Sequence, residues 1–135
     1  MPDNSRWVRA LYGERVLNAT KGDPVACAGV TLGPRAVMET YTDRMCEEMW
    51  PRLPDVLFDL GHDQAVHNHL RTGRTDALLT SNADGLIATV GYDDLSSLEV
   101  DADGRMVYFH GTAPAIVHQY DRHDRLVDLL VRNAP

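Results

Sequence analysis

A mixed α/β fold is the class this sequence predicts, and three observations predict it. Runs with helical spacing of apolar residues alternate with short apolar, β-branched runs. Three stretches, 27–33, 62–68 and 116–123, join an apolar run to a polar cluster or set such a cluster at a helix start. Strand ends and helix N-termini sit at the rim of a sheet, which is where an α/β domain displays chemistry. Alternating residues on both sides of Asp101-Ala102-Asp103-Gly104 add an antiparallel hairpin.

The elements follow in order. Asp3, Asn4 and Ser5 are competent N-caps, and Trp7, Val8 and Leu11 follow at helical spacing, so a short first helix ends near Gly13. Residues 14–24 are mixed and close on a turn, Lys21-Gly22-Asp23-Pro24. Val25 to Leu32 is small, apolar and β-branched and reads as a buried strand. Gly33-Pro34 opens the clearest helix, with Val37, Met38, Tyr41, Met45 and Met49 on one stripe. Trp50-Pro51 and Pro54 end it, and Trp50 and Phe58 are expected in the core. A third helix spans about Asp63 to Leu70. Ala77 to Thr80, Leu86 to Val90, Leu98 to Asp101, Arg105 to Phe109 and Ala115 to His118 are strand candidates. A closing helix carries Leu126, Val127, Leu129, Leu130 and Val131.

Bulk composition narrows the function classes. A chain of 135 residues with 44% hydrophobic and 24% charged residues fits one ordinary globular domain. Thirteen Lys and Arg against twenty Asp and Glu give a formal charge of −7, and Lys21 is the only lysine. The basic residues are scattered, which excludes nucleic acid as the main partner. Cys27 and Cys46 have neither a disulfide framework nor metal-type spacing and read as reduced thiols. The first residues lack the apolar run of a signal peptide and no window approaches a membrane span, so the expected location is cytoplasmic.

Each polar cluster has a functional and a purely structural reading. Asp63 and His67 are four apart on a helix and share a face; alternatively, Asp63 caps the helix and His67 is an ordinary surface residue. Gln64 both donates and accepts hydrogen bonds, which suits a sugar hydroxyl. His62, His67 and His69 do not share one helical face, which weakens a zinc reading. His118 ends a strand, where an imidazole binds a divalent metal or a phosphate, or simply a backbone carbonyl. His110 and Gly111 end the preceding strand candidate and are expected on the same rim. Arg122 can fork onto a phosphate or a carboxylate, or pair with Asp121 or Asp124. The acidic Asp101-Ala102-Asp103 looks like a metal-binding D-x-D, but its hairpin context makes it a solvated turn.

Taken in order, Cys27 to Gly33, the amphipathic helix, His62 to Asn68 and Ile116 to His123 resemble the C-terminal half of GT-A-type nucleotide-sugar glycosyltransferases. The likeness is nearest to bacterial nucleotide-diphospho-sugar transferases and more distant to the glycogenin and lipopolysaccharide galactosyltransferase group. It covers most of the chain from Asn4 onward. The resemblance implies a partial GT-A-like mixed sheet flanked by helices. It implies that Cys27, Ala28 and Gly29 approach the sugar and that Asp63 and Gln64 orient donor or acceptor as the catalytic couple. His67 then faces substrate, His118 ligates Mn²⁺ or Mg²⁺, and Arg122 contacts the diphosphate. The partners are a nucleotide-sugar and a saccharide acceptor.

Two departures qualify this expectation. Cys27 stands where the wider group has Asn, and no D-x-D motif precedes it; Asp101 and Asp103 come too late to substitute. The resemblance therefore implies a truncated, minimal or split transferase. Half of such a sheet bares an edge and an apolar face, which a homo-oligomer or a partner chain carrying the missing half would cover. A non-catalytic sugar-binding or assembly module is the rival reading. A third is a small metal-dependent hydrolase built on His62, His67, His118 and Asp121.

Overall fold

A computed structural model describes residues 2–52, 61–72, 78–82, 86–91, 96, 99–100, 106–107 and 113–132. The chain divides into two compact units, Met1–Leu78 and Leu79–Pro135, each described by itself. Among the described residues no helix is long and apolar enough to cross a membrane.

The first unit is helical. α1 covers Pro2–Thr20, α2 Arg35–Met49 and α3 His62–Arg71. α3 is the central element, packing against both α1 and α2. The first helix ends at Gly13 as expected, where φ 77° and ψ 176° are non-helical, and a second helical segment, not expected from the mixed residues 14–24, runs on across this kink to Thr20. The expected turn follows: Asp23 N–H donates to the Thr20 carbonyl at 3.0 Å, with Gly22 at φ 112°. α2 begins where Pro34 accepts hydrogen bonds from the Val37 and Met38 N–H groups. Its side chains form no fully buried stripe: none is buried, and Val37 is exposed. α3 starts after Gly61, with Asp63 in its first turn and His69 and Arg71 in its last, the polarity that suits a helix dipole.

Two sequence expectations fail in this unit for one reason. Val25 to Leu32 is not a strand: Ala28 and Gly29 turn, and Leu32 is 63% exposed. Trp50, expected in the core, is 77% exposed and opens a single 3-10 turn, Trp50–Arg52. An apolar run records only a preference for burial; a strand also needs a neighbouring ladder, and the described part of this unit offers none. Phe58 lies outside the described residues.

The second unit holds β1 Ile87–Thr89, β2 Glu99–Val100, β3 Met106–Val107, β4 Ile116–His118 and α4 Asp124–Arg132. β1 and β4 pair parallel, Thr89 opposite His118. β2 and β3 pair antiparallel over two residues each. The expected single mixed sheet is therefore replaced, among the described residues, by two separate two-stranded sheets. The sheet that bears His118 is the parallel one. Residues 78–80 form no strand, and Leu78 is 88% exposed. Ala77, the Asp101-Ala102-Asp103 turn and His110-Gly111 fall outside the described residues. Ala88, Val90 and Leu126 are fully buried in this unit.

Candidate functional site

The first unit gathers the residues expected at 27–29 and 63–67 around α3. Its centre is a pair of side-chain amides one helical turn apart, Gln64 and Asn68. Asn68 Oδ1 accepts from Ala26 N–H at 2.8 Å while its Nδ2 donates to the Ala26 carbonyl at 2.9 Å. Gln64 Oε1 accepts from Ala28 N–H at 3.0 Å, and its Nε2 also donates to the Ala26 carbonyl. Two amides thus serve the 26–28 backbone as an adjacent strand would. Ala26 and Asn68 are both buried, so these groups have to be satisfied by protein.

The same device recurs in the second unit, where Asn82 Oδ1 accepts from Thr89 N–H and Asn82 Nδ2 donates to its carbonyl, at 2.9 and 3.0 Å. An asparagine amide carries one donor and one acceptor at peptide-like separation, and so covers one position of a strand edge.

Gln64, expected to meet a sugar hydroxyl, is therefore engaged by the protein's own backbone. Ala28 has its N–H taken by Gln64, while Gly29 is exposed at the turn and Cys27 is half-buried with a free thiol. Asp63 is exposed at the start of α3. His67, one turn further, is buried, and its Nδ1 meets the Tyr41 hydroxyl from α2 at 2.8 Å. The two rings meet edge to face, 5.9 Å between centroids.

Electrostatics set the protonation of this group. Burial pushes the His67 pKa below its ordinary value, the nearby Arg71 cation adds to the fall, and Asp63 opposes it. Burial pushes the Tyr41 pKa up, the neighbouring Thr31 side chain opposes the rise, and the Asp63 charge adds to it. At neutral pH the site is a neutral imidazole hydrogen-bonded to a protonated phenol, with a carboxylate close enough to act on both.

A pH dependence follows. An imidazole that is harder to protonate in the folded chain makes the unfolded chain the better proton binder. Stability then falls as pH drops through the ordinary histidine value of 6.5, and the loss is complete below the lowered folded-state value. His67→Gln is expected to flatten the urea-midpoint profile between about pH 7.5 and about pH 5.5. Superimposable profiles for the two proteins would remove the burial argument.

Sequence reasoning missed Tyr41 and Asn68 as members of this group. Tyr41 reads as one more residue of an apolar stripe. Asn68 carried a signal, since it stands four residues after Gln64 on the same helical face.

His118 and Arg122 belong to the second unit. His118 is half-buried at the end of β4, and Arg122 is exposed in the 3-10 turn Tyr120–Arg122. The rim here is shaped by two residues the sequence did not mark. Gln119 adopts φ 63°, a left-handed conformation rare for a side-chain-bearing residue. Gly91, at the end of the paired strand, leaves the space its side chain fills: a Cβ added there would stand 2.9 Å from Gln119 Cβ. His123 Nε2 bonds the Val90 carbonyl at 2.7 Å, tying the start of α4 to β1's end. Gly91→Ala is expected to cost about 1–3 kcal/mol, as overpacking does. Gln119→Gly in the same chain is expected to recover most of it in thermal melts; a Gly91→Ala melt equal to wild type would dismiss the close approach.

Among the described residues no three His, Cys, Asp or Glu side chains come together to hold a metal. His118 is a single candidate ligand, so the described residues do not fit a Mn²⁺ or Mg²⁺ site by themselves. The four residues of the hydrolase reading divide between the units, His62 and His67 in one, His118 and Asp121 in the other.

Compared with known proteins, the chain matches no protein-family model, no curated protein and no solved structure.

Proposed function

We propose that this chain is a glycosyltransferase-type α/β protein, the sugar-side part of a machine that moves a sugar from a nucleotide-sugar to a saccharide hydroxyl. The observation that carries the reading is the meeting, on α3, of three stretches distant in sequence. The amides of Gln64 and Asn68 pin the Cys27-Ala28-Gly29 turn to the helix whose exposed Asp63 stands one turn from the His67–Tyr41 pair. An ionised carboxylate accepts sugar hydroxyls, and a neutral imidazole is suited to exchange a proton near neutral pH. In this reading Asp63 orients the sugar, Gly29 lets it approach the backbone, and Gln64 acts as a positioning residue that holds the turn. His118 and Arg122 are assigned to the diphosphate side. Among the described residues His118 has no carboxylate partners for a divalent cation, and in this reading a partner half or a second copy supplies them.

A non-catalytic saccharide-binding module is the second reading, favoured by the commitment of the Gln64 amide to Ala26 and Ala28. One pair of experiments separates the two. Calorimetric titration of nucleotide-sugars with and without Mn²⁺, together with nucleotide release in the presence of saccharide acceptors, is expected to show binding and acceptor-dependent release. Asp63→Asn is expected to slow that release at least about tenfold. No heat from any nucleotide-sugar, with heat from a glycan, would replace the transferase by the binding module.

A further inference from the structure

In the second unit β1 and β4 run parallel, so their carboxyl ends, Val90-Gly91 and Gln119-Tyr120, come out at the same end of the pair. The crevice beyond the carboxyl ends of parallel strands is where α/β sheets hold ligands. Gln119 stands there in a conformation that works against it, φ 63° and ψ 28°. Among the described residues no other side-chain-bearing residue has a positive φ. A glycine would sit in this left-handed region without strain, so keeping a long polar side chain there points to a use for that side chain.

Three further observations show what this end offers. Gly91 gives the side chain room: a Cβ added there would stand 2.9 Å from both Cβ and Cδ of Gln119, which therefore lies against the end of β1. Among the described residues no group hydrogen-bonds the Gln119 amide, and neither of its polar atoms is among the sealed, unpartnered ones, so both are open to solvent. Gln64, Asn68 and Asn82, by contrast, commit their amides to the backbone. Tyr120, the next residue, is 41% exposed.

The chemistry of these groups selects the ligand. A carboxamide presents one donor side and one acceptor side in a plane. Its best partner is a planar edge with the same pair reversed, and an exposed phenol ring adds a face for stacking. A nucleobase has both the edge and the face. A peptide group has the edge without the face, and sugar hydroxyls form no fixed planar edge. A bare phosphate has neither, and between residues 119 and 124 the carboxylates of Asp121 and Asp124 outnumber the Arg122 cation.

We propose that the carboxyl end of the β1–β4 pair binds the base of a nucleoside or nucleotide, with Gln119 reading its edge and Tyr120 stacking on its face. The inference deepens the function proposed above by placing the base of the nucleotide-sugar, and rests on that reading only for the link to a sugar donor.

Titrating the ¹⁵N-labelled full chain with adenosine, uridine, guanosine and cytidine, and separately with galactose and inorganic phosphate, tests it. Saturable shifts of the Gln119 side-chain NH₂ and of the Gly91 and Tyr120 amides are expected with at least one nucleoside, and none with galactose or phosphate. Gln119→Gly removes the amide and relieves the left-handed strain. It is expected to keep the dispersed spectrum while binding that nucleoside at least about tenfold more weakly. Tyr120→Leu is expected to weaken binding at least about fivefold. No saturable shift with any nucleoside, shifts with galactose or phosphate in their place, or wild-type nucleoside affinity in either folded variant would each overturn the proposal. The two proposals fail separately. Nucleoside binding at Gln119 without acceptor-dependent nucleotide release leaves this site standing and ends the transferase. Nucleotide release that Gln119→Gly leaves unchanged, with no response at Gln119, does the reverse.

Discussion

Asn68→Ala is expected to lower the free energy of unfolding by about 2–3 kcal/mol, read as a shift of the urea midpoint. The residue is buried and makes three hydrogen bonds, two with Ala26 and one from Nδ2 to the Gln64 carbonyl at 2.8 Å. Truncation strands the Ala26 N–H in a buried place, and an unpaired buried donor costs more than the net worth of the bond it made. The Ala26 carbonyl keeps Gln64 as a donor, which limits the damage. Asn68→Asp isolates the donor half of the clasp. It preserves the acceptor for Ala26 N–H but turns the other oxygen against the Ala26 and Gln64 carbonyls, so it too is expected to destabilise. A loss below about 0.5 kcal/mol for Asn68→Ala would mean that the clasp does not hold the 26–28 turn.

Gly61→Ala is expected to cost about 3 kcal/mol or more, the sum of two separate penalties. Gly61 leads into α3 at φ 107°, where a Cβ is strained whatever the space around it. That Cβ would also overlap the six-membered ring of Trp7, at the point where α1 crosses the start of α3. A flat ring wedged between helices cannot yield as the tip of a flexible side chain does. Thermal unfolding of Gly61→Ala with and without Trp7→Leu separates the terms: the double variant recovers the ring overlap and retains the backbone strain. A Gly61→Ala melt within about a degree of wild type would refute the close helix approach.

These two positions also mark where sequence reasoning stopped. The helices were legible because their signals are local. Gly33-Pro34 starts α2, an acidic Asp63 stands in the first turn of α3, and Lys21-Gly22-Asp23 turns as expected. His118 was placed at a strand's end by the β-branched Ile116-Val117 alone. Asp63 and His67 were placed on one helical face by their spacing of four. The remaining features depend on partners far away in the chain. Val25 to Leu32 has the composition of a strand, but its backbone is served by amides about forty residues later, so it turns instead. Gln64 looked like a group offered to a ligand because nothing local shows that Ala26 and Ala28 take both ends of its amide. Trp50 looked like core because size and apolarity are all that a single residue declares.

What the chain determined by itself is the set of elements whose causes lie within a few residues: three helices in the first unit, the turn after Thr20, the strand ending in His118 and the closing helix. Tertiary structure alone decided which backbone groups the Gln64 and Asn68 amides satisfy, that Tyr41 meets His67, and that Ile87–Thr89 pairs parallel with Ile116–His118. The physical reason is range. Helical hydrogen bonds and turn dihedrals are settled between near neighbours. The satisfaction of a buried donor is settled by whichever acceptor folding brings to it, and that acceptor leaves no mark beside the donor in the sequence.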